Sequence, residues 1–341
     1  MLVALAVLAG AVVSPDYEAL IRRYAAGERE AAVAALATWR PSELDRQIRA
    51  LQRSRPACPS CPDPIEDLPL KAAVLLHTDR DILEHPRSQS VEHPRPCPGD
   101  HARRAGQIAA VIANRNGMRD FARRFFLAMA NRSQWDFCLD AAQQWARDGL
   151  DRFPGDPSLL LALGSASEEK ATLANLPSQD PRGVRTAWYR EAERALAEAV
   201  GADPDLFEAR IRLGRVRWHL DEDESARQTL EDALRRGGPP PLPYLGQLFL
   251  GQALERAGRA TEAARAYEEA LALEPQSQAA ALALSHLRLS SGDAAGARRV
   301  LEQALAHAGR RAESDPYWIY PASNAAGAED ALEALRLEAD K

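Results

Sequence analysis

The stretch LGQALERAGRATEAARAYEEALALEP, from Leu250 to Pro275, is made almost wholly of helix formers. Yet it places Gly251, Gly258, Ala263 and Ala270 inside the run and Pro275 at its end. Glycine costs about 1 kcal/mol relative to alanine in a helix interior, so its use here needs a packing reason. Two antiparallel helices supply one. Gly251 and Ala263 stand where the helices would cross, because larger side chains there would push the axes beyond about 8–10 Å. Gly258 falls in the short connection, where a left-handed C-cap is needed. Ala270 is small so that the next helix can pack on it. Tyr267 fills the space between neighbouring pairs, and Pro275 ends the second helix.

The arrangement recurs. RLGRVRWHLDEDESARQTLEDAL places Gly214, Ala226, Leu230 and Ala233 in the relation of Gly251, Ala263, Tyr267 and Ala270. ALSHLRLSSGDAAGARRVLEQALAHAG repeats it with Ser285, Gly292, Ala297, Leu301 and Ala304. Ser285 follows Gly251 by 34 residues; Gly251 follows Gly214 by 37, with the GGPPPLP turn taking up the excess. Upstream, Gly164 in LLLALGS takes the glycine role, and EAERALAEAVGADP supplies Ala192, Leu196, Ala199 and Pro204; an insertion around ANLPSQDPRGVRT separates the two halves. No single pair can bury its apolar face alone, so the pairs must stack.

The unit from Tyr244 to Ser277 resembles a tetratricopeptide repeat, with the small–Leu/Gly–small–aromatic–Ala–Pro pattern of that family nearly complete. Units 207–240 and 278–311 resemble it with Gly238 and Gly309 where proline is usual. Unit 157–206 matches at both ends, and a fifth, 123–156, keeps Ala130, Ala142 and Pro154. The resemblance implies an all-α, right-handed solenoid of antiparallel helix pairs with units of about 34 residues. It also implies a concave groove, lined by the first helix of each pair, that takes a protein or peptide. Carried onto this chain, the groove comprises Asn131, Trp135, Glu168, Glu169, Arg215, Trp218, His219, Gln252, Glu255, Arg256 and His286. Arginines beside a tryptophan could hold an acidic segment while the indole covers apolar surface. The peptide-terminus clamps of the family use a lysine and asparagine set; no matching lysine is present, so capture of a C-terminal carboxylate is not expected.

The rest of the chain is less regular. MLVALAVLAGAVVS, residues 1–14, has the length of a secretory signal core but no basic residues before it. It is read as a signal peptide, implying export to the periplasm or beyond; as a buried first helix it would imply a cytoplasmic protein. DYEALIRRYAAGEREAAVAALATW, within 15–55, reads as another helical pair, with Tyr24, Gly27 and Ala32 at repeat-like spacing. Residues 56–100 are loops rich in proline, cysteine and histidine around one helix, 101–156 a degenerate helical repeat, and 157–311 the main array. In the terminal segment 312–341, Tyr317, Trp318 and Tyr320 are expected to cover the apolar end face of the last unit; the sharper alternative is a partner-binding aromatic strip. AEDALEALRLEADK closes the chain as a short charged helix.

A net charge of −6 argues against a nucleic-acid partner, and no later stretch is long and apolar enough to span a bilayer. No GxSxG, P-loop or HExxH motif occurs, so neither an enzyme nor a bound cofactor is expected. The competing reading places a metal or an enzymatic site in the loops, where Cys58, Cys61, Cys97 and His93 or His101 could surround one zinc ion. In an exported protein two of these cysteines would instead form a disulfide. Cys138 reads as a small buried residue, and His77 as a satisfied helix histidine rather than a ligand. A third reading is a structural subunit of an envelope assembly.

Overall fold

The computed structural model describes residues 13–53, 68–85, 97–115, 117–173, 183–307 and 315–339. The apolar run 1–12, Cys58, Cys61, His93, Gly309 and most of the insertion after Ala174 lie outside them. The described residues are helical, and the chain divides into two units, residues 154–325 and residues 1–153 with 326–341.

The second unit is the solenoid. It stacks four antiparallel pairs: α8 (Pro157–Leu173) with α9 (Val184–Ala202), α10 (Phe207–His219) with α11 (Asp223–Arg236), α12 (Leu242–Arg256) with α13 (Ala260–Leu273), and α14 (Gln278–Ser290) with α15 (Ala294–His307). Each second helix also packs on the first helix of the next pair. The glycines sit where the packing argument requires. A Cβ on Gly164 would lie 2.5 Å from Leu196, one on Gly214 2.5 Å from Leu230, and one on Gly251 2.3 Å from the Tyr267 ring. Tyr267 therefore fills the gap over the glycine of its own pair, a correction to its expected place between pairs. Gly238 has a similar cause, since a side chain there would strike the Phe207 ring at 2.4 Å.

The first unit contains α1 (Pro15–Ala25), α2 (Arg29–Leu36), α3 (Pro41–Arg53), α4 (Leu70–Glu84), α5 (Asp100–Ile112), α6 (Arg119–Trp135) and α7 (Leu139–Leu150). Ser14 caps α1 by accepting from the Tyr17 N–H, and its own N–H donates to Gln47, so Ser14 belongs to the folded body. The terminal helix α17 (Ala328–Ala339) also belongs to this unit. It buries Leu332 and Leu335 against α6 and α4 and is ringed by ion pairs: Arg336 with Asp79 at 2.8 Å, Lys71 with Glu338 at 2.6 Å, and Arg132 with Glu329 at 2.7 Å.

One turn recurs through both units. An amide just past a first helix donates five residues back: Glu28 to Arg23, Cys138 to Ser133, Glu222 to Arg217, Arg259 to Leu254 and Asp293 to Arg288, all at 2.8–3.0 Å. The residue before each donor has positive φ: Gly27 (89°), Phe137 (59°), Asp221 (61°), Gly258 (74°) and Gly292 (88°). This is the Schellman C-cap. It ties α1–α2 and α6–α7 to the repeat pattern although their sequences keep little of it.

Candidate functional site

The first helices α8, α10, α12 and α14 present one face of the solenoid, and that face is occupied by the chain itself. After α15 the residues 315–325 lie across it as a four-residue helix, α16 (Pro316–Ile319), and a 3-10 turn (Tyr320–Ala325). At one end the Asp315 carboxylate, 4% exposed, sits over the start of α14. It accepts from the Ala279 N–H (2.8 Å), the Ser277 hydroxyl (2.9 Å) and the Tyr244 hydroxyl (2.7 Å). It also caps α16 through the Tyr317 N–H. An anion is favoured there because the first turn of a helix leaves N–H groups unbonded within it.

At the other end Tyr320 is fully buried. Its ring packs edge-on against Phe249 (5.1 Å) and beneath the guanidinium groups of Arg212 (4.4 Å) and Arg215 (4.9 Å). Its hydroxyl donates to Glu168 at 3.0 Å. Burial, with the Glu168 carboxylate alongside, pushes the Tyr320 phenol up, so it stays protonated and donates. Arg212 spans both sides: it donates to Glu168 (2.9 Å), to Glu208 (3.0 Å) and to the backbone carbonyl of Tyr320 (2.9 Å). Arg215 gives Glu168 a second ion pair at 2.8 Å. Pairing of this kind is what lets Glu168 and both arginines be buried as charges.

Residues 254–314 match a family described as Tetratricopeptide repeat, and residues 188–240 and 224–281 match a second model of that description. Residues 188–314 are therefore built of tetratricopeptide repeats. Among solved structures, a MamA protein is 18% identical, with 56% of this chain and 94% of that one covered and a TM-score of 0.44. Residues 41 to the end of MamA from Desulfovibrio magneticus RS-1 give 16% identity, 54% and 93% coverage and 0.44. PilF of Pseudomonas aeruginosa gives 16%, 64% and 91%, and 0.47. No significant match is found among curated proteins.

The repeat geometry sorts the expected groove residues into three groups. Glu168, Glu169 and Arg215 are buried, and Glu168 and Arg215 lie beneath residues 315–325. They are not an open binding surface: the chain's own tyrosine covers Glu168 and Arg215, and Glu169 is buried. Asn131 and Trp135 belong to the first unit; Trp135 is exposed. Trp218, His219, Gln252, Glu255, Arg256 and His286 gather toward the C-terminal ends of α10, α12 and α14.

Two corrections concern this last group. Arg256 does lie over the Trp218 ring at 4.6 Å, but its guanidinium is taken by Asp221 (3.0 Å) and Asp223, so it is not free to grip an acidic segment. Glu255 accepts from Tyr267 (2.7 Å) and meets His286 at 3.3 Å. His219 stacks flat on Tyr189 at 4.6 Å. Burial first, then Arg215, Arg256 and Arg185, bring its pKa down to about 3, so it is neutral at ordinary pH. The ring nitrogens Nε1 of Trp218 and Nε2 of His219 are buried without a hydrogen-bond partner.

The loop readings change as well. Cys97 forms a disulfide with Cys138, across 41 residues of sequence. Cys97 is therefore unavailable to a metal, and Cys138 is buried but not a free thiol. His101 is buried, with Nδ1 2.9 Å from Nδ1 of His77, whose Nε2 meets the Tyr17 hydroxyl at 2.8 Å. His77 is satisfied, as its sequence context suggested. Among the described residues no group of three or more metal-ligating side chains converges. The terminal aromatics also depart from expectation. They do not cap the end of the array; Tyr317 and Tyr320 pack on Phe249 of α12 and Trp318 stays exposed, as do Leu282, Leu289 and Leu305 of the last pair.

Sequence reasoning missed Arg212, Tyr244, Ser277 and Asp315. Arg212 had a signal, an arginine inside the apolar face of α10 one turn before Arg215. Asp315 had one too, heading an Asp-Pro-aromatic run too apolar for a free tail.

Proposed function

We propose that the chain is a non-enzymatic scaffold that binds protein segments along the first-helix face of its tetratricopeptide repeats, in an exported or envelope setting. One observation carries the binding mode. The groove already holds a non-repeat peptide stretch by capturing a carboxylate, an aromatic ring and a backbone carbonyl, which are the features any polypeptide can offer. The uncovered positions Gln252, Arg256 and His286 extend that surface toward the C-terminal ends of α12 and α14. Among the described residues no helix is long and apolar enough to cross a membrane. Export is supported by the apolar run that precedes the folded body and by the Cys97–Cys138 disulfide, a bond that persists in oxidising compartments.

Paired affinity capture from the native extract tests the scaffold reading. One bait is the wild type and the other carries Q252A, R256A and H286A, with folding checked by circular dichroism. A protein held by the first and lost by the second supports it; identical retention by both overturns it. Alkylation trapping of thiols in intact cells tests the compartment, with Cys97 and Cys138 expected to resist labelling until a reductant is added.

A further inference from the structure

We infer that residues 315–325 are a resident ligand of the groove, and that an external partner binding there carries the same chemistry: an acidic residue followed five positions later by a tyrosine. This rests on the groove reading above and adds what the groove recognises. The two anchors, Asp315 and Tyr320, lie five residues apart. Each is held in a separate pocket, and α12 contributes a ring to both. Asp315 sits in a cradle made by Tyr244 of α12 with Ser277 and Ala279 at the start of α14. Tyr320 sits among Glu168 of α8, Arg212 and Arg215 of α10 and Phe249 of α12.

The segment 315–325 behaves as a bound peptide. It belongs to no helix pair, and its middle turns outward, with Trp318 60% and Ile319 51% exposed. Its Tyr320 carbonyl accepts from Arg212, and its Ser323 hydroxyl reaches Glu208 at 3.1 Å. On the groove side the charges balance without it, since Arg212 and Arg215 face Glu168 and Glu208. Departure of the segment would thus uncover a paired ion cluster that water can solvate, with no lone buried charge left behind. An occupant tied to the same chain has a high effective concentration, so a partner must bring further contacts, for which Trp318 and Ile319 mark the outward side.

The test uses a fluorescently labelled peptide of sequence SDPYWIYPASNAA, residues 314–326, and the full chain. Fluorescence polarisation compares wild type with D315A/Y320A, whose own segment has lost both anchors. The double variant should bind the peptide at least ten-fold more tightly than wild type, and a peptide with both anchors changed to alanine should not bind. A folded variant that takes the peptide no better than wild type overturns the inference. If D315A/Y320A does not fold, the milder D315N/Y320F is used with the same criterion. If neither folds, the segment is integral to the repeat core and the inference fails. Peptide binding without any captured protein would leave the recognition chemistry standing while removing the scaffold reading; capture without peptide binding would do the reverse.

Discussion

The hydroxyl of Tyr320 donates to the carboxylate of Glu168 at 3.0 Å, across 152 residues of sequence, and both side chains are wholly buried. The pair anchors the segment 315–325 to α8. It also fixes Glu168 between two arginines that would otherwise share no buried counter-charge.

Replacing Glu168 by alanine leaves Arg212 and Arg215 buried with that partner gone. Breaking a buried ion pair from one side costs about 3–5 kcal/mol. Hydrogen exchange of α8 and α10 should show a protection loss of that size, while helices of residues 15–150 stay unchanged.

Phe137 occupies a left-handed C-cap where three of the four other equivalent turns have glycine. Its side chain is 67% exposed, so little packing is lost on removal. Phe137→Gly should stabilise the first unit by about 1 kcal/mol, seen as a higher thermal midpoint. An unchanged or lower midpoint would contradict the strain assigned to that turn.

Gly251→Ala and Gly258→Ala should both destabilise, for different reasons. The Cβ at 251 would meet the Tyr267 ring at 2.3 Å, an overpacking cost of about 1–3 kcal/mol. At 258 nothing lies within 4 Å, and the cost is the positive φ alone, about 1 kcal/mol. Pairing each with Tyr267→Ala separates them in urea titrations: the added loss from Gly251→Ala should shrink in that background, and the loss from Gly258→Ala should not.

Acid should weaken both units before carboxylates titrate. Burial lowers the pKa of His77, with His101 and Arg104 adding to it, and also lowers that of His101; His219 falls to about 3. Unfolded histidine binds a proton near 6.5, so below that pH the unfolded chain holds more protons and stability declines. The decline begins near pH 6.5 and continues toward the folded values, at about 1.4 kcal/mol per pH unit for each histidine. Thermal midpoints between pH 7 and 4.5 measure it. His219→Phe, which keeps a ring against Tyr189, should flatten the slope for α10 read by hydrogen exchange.

Opening the Cys97–Cys138 bridge releases a 41-residue separation. Loop-closure entropy for that length gives a loss of up to about 4 kcal/mol. The C97A/C138A double variant should unfold at lower urea in the first unit, and reductant should shift the wild type to match it.

Much of this architecture is legible in sequence because its determinants are short-range. Gly251 opposite Tyr267, Gly214 opposite Leu230 and Gly164 opposite Leu196 are features of single helix pairs, and the spacing of small residues exposes them. The groove residues were less legible. Glu168 and Arg215 carry repeat positions that the resemblance assigns to a ligand-facing groove, and nothing within their own repeats shows that they are covered. Arg256 reads as a free cation until Asp221 and Asp223 of the previous pair are seen beside it. The Cys97–Cys138 bond was hidden because spacing pointed to Cys58 and Cys61 as a pair.

The sequence by itself determined the helix pairs, their crossing points and the stack they form, since each rests on contacts within one repeat or between successive ones. Only the tertiary structure decided that residues 315–325 return to fill the groove. That choice depends on a carboxylate meeting the start of α14 and a phenol meeting Glu168. Contacts so far apart in the chain carry no periodic signal, because their energy comes from burying complementary groups that no local spacing brings together.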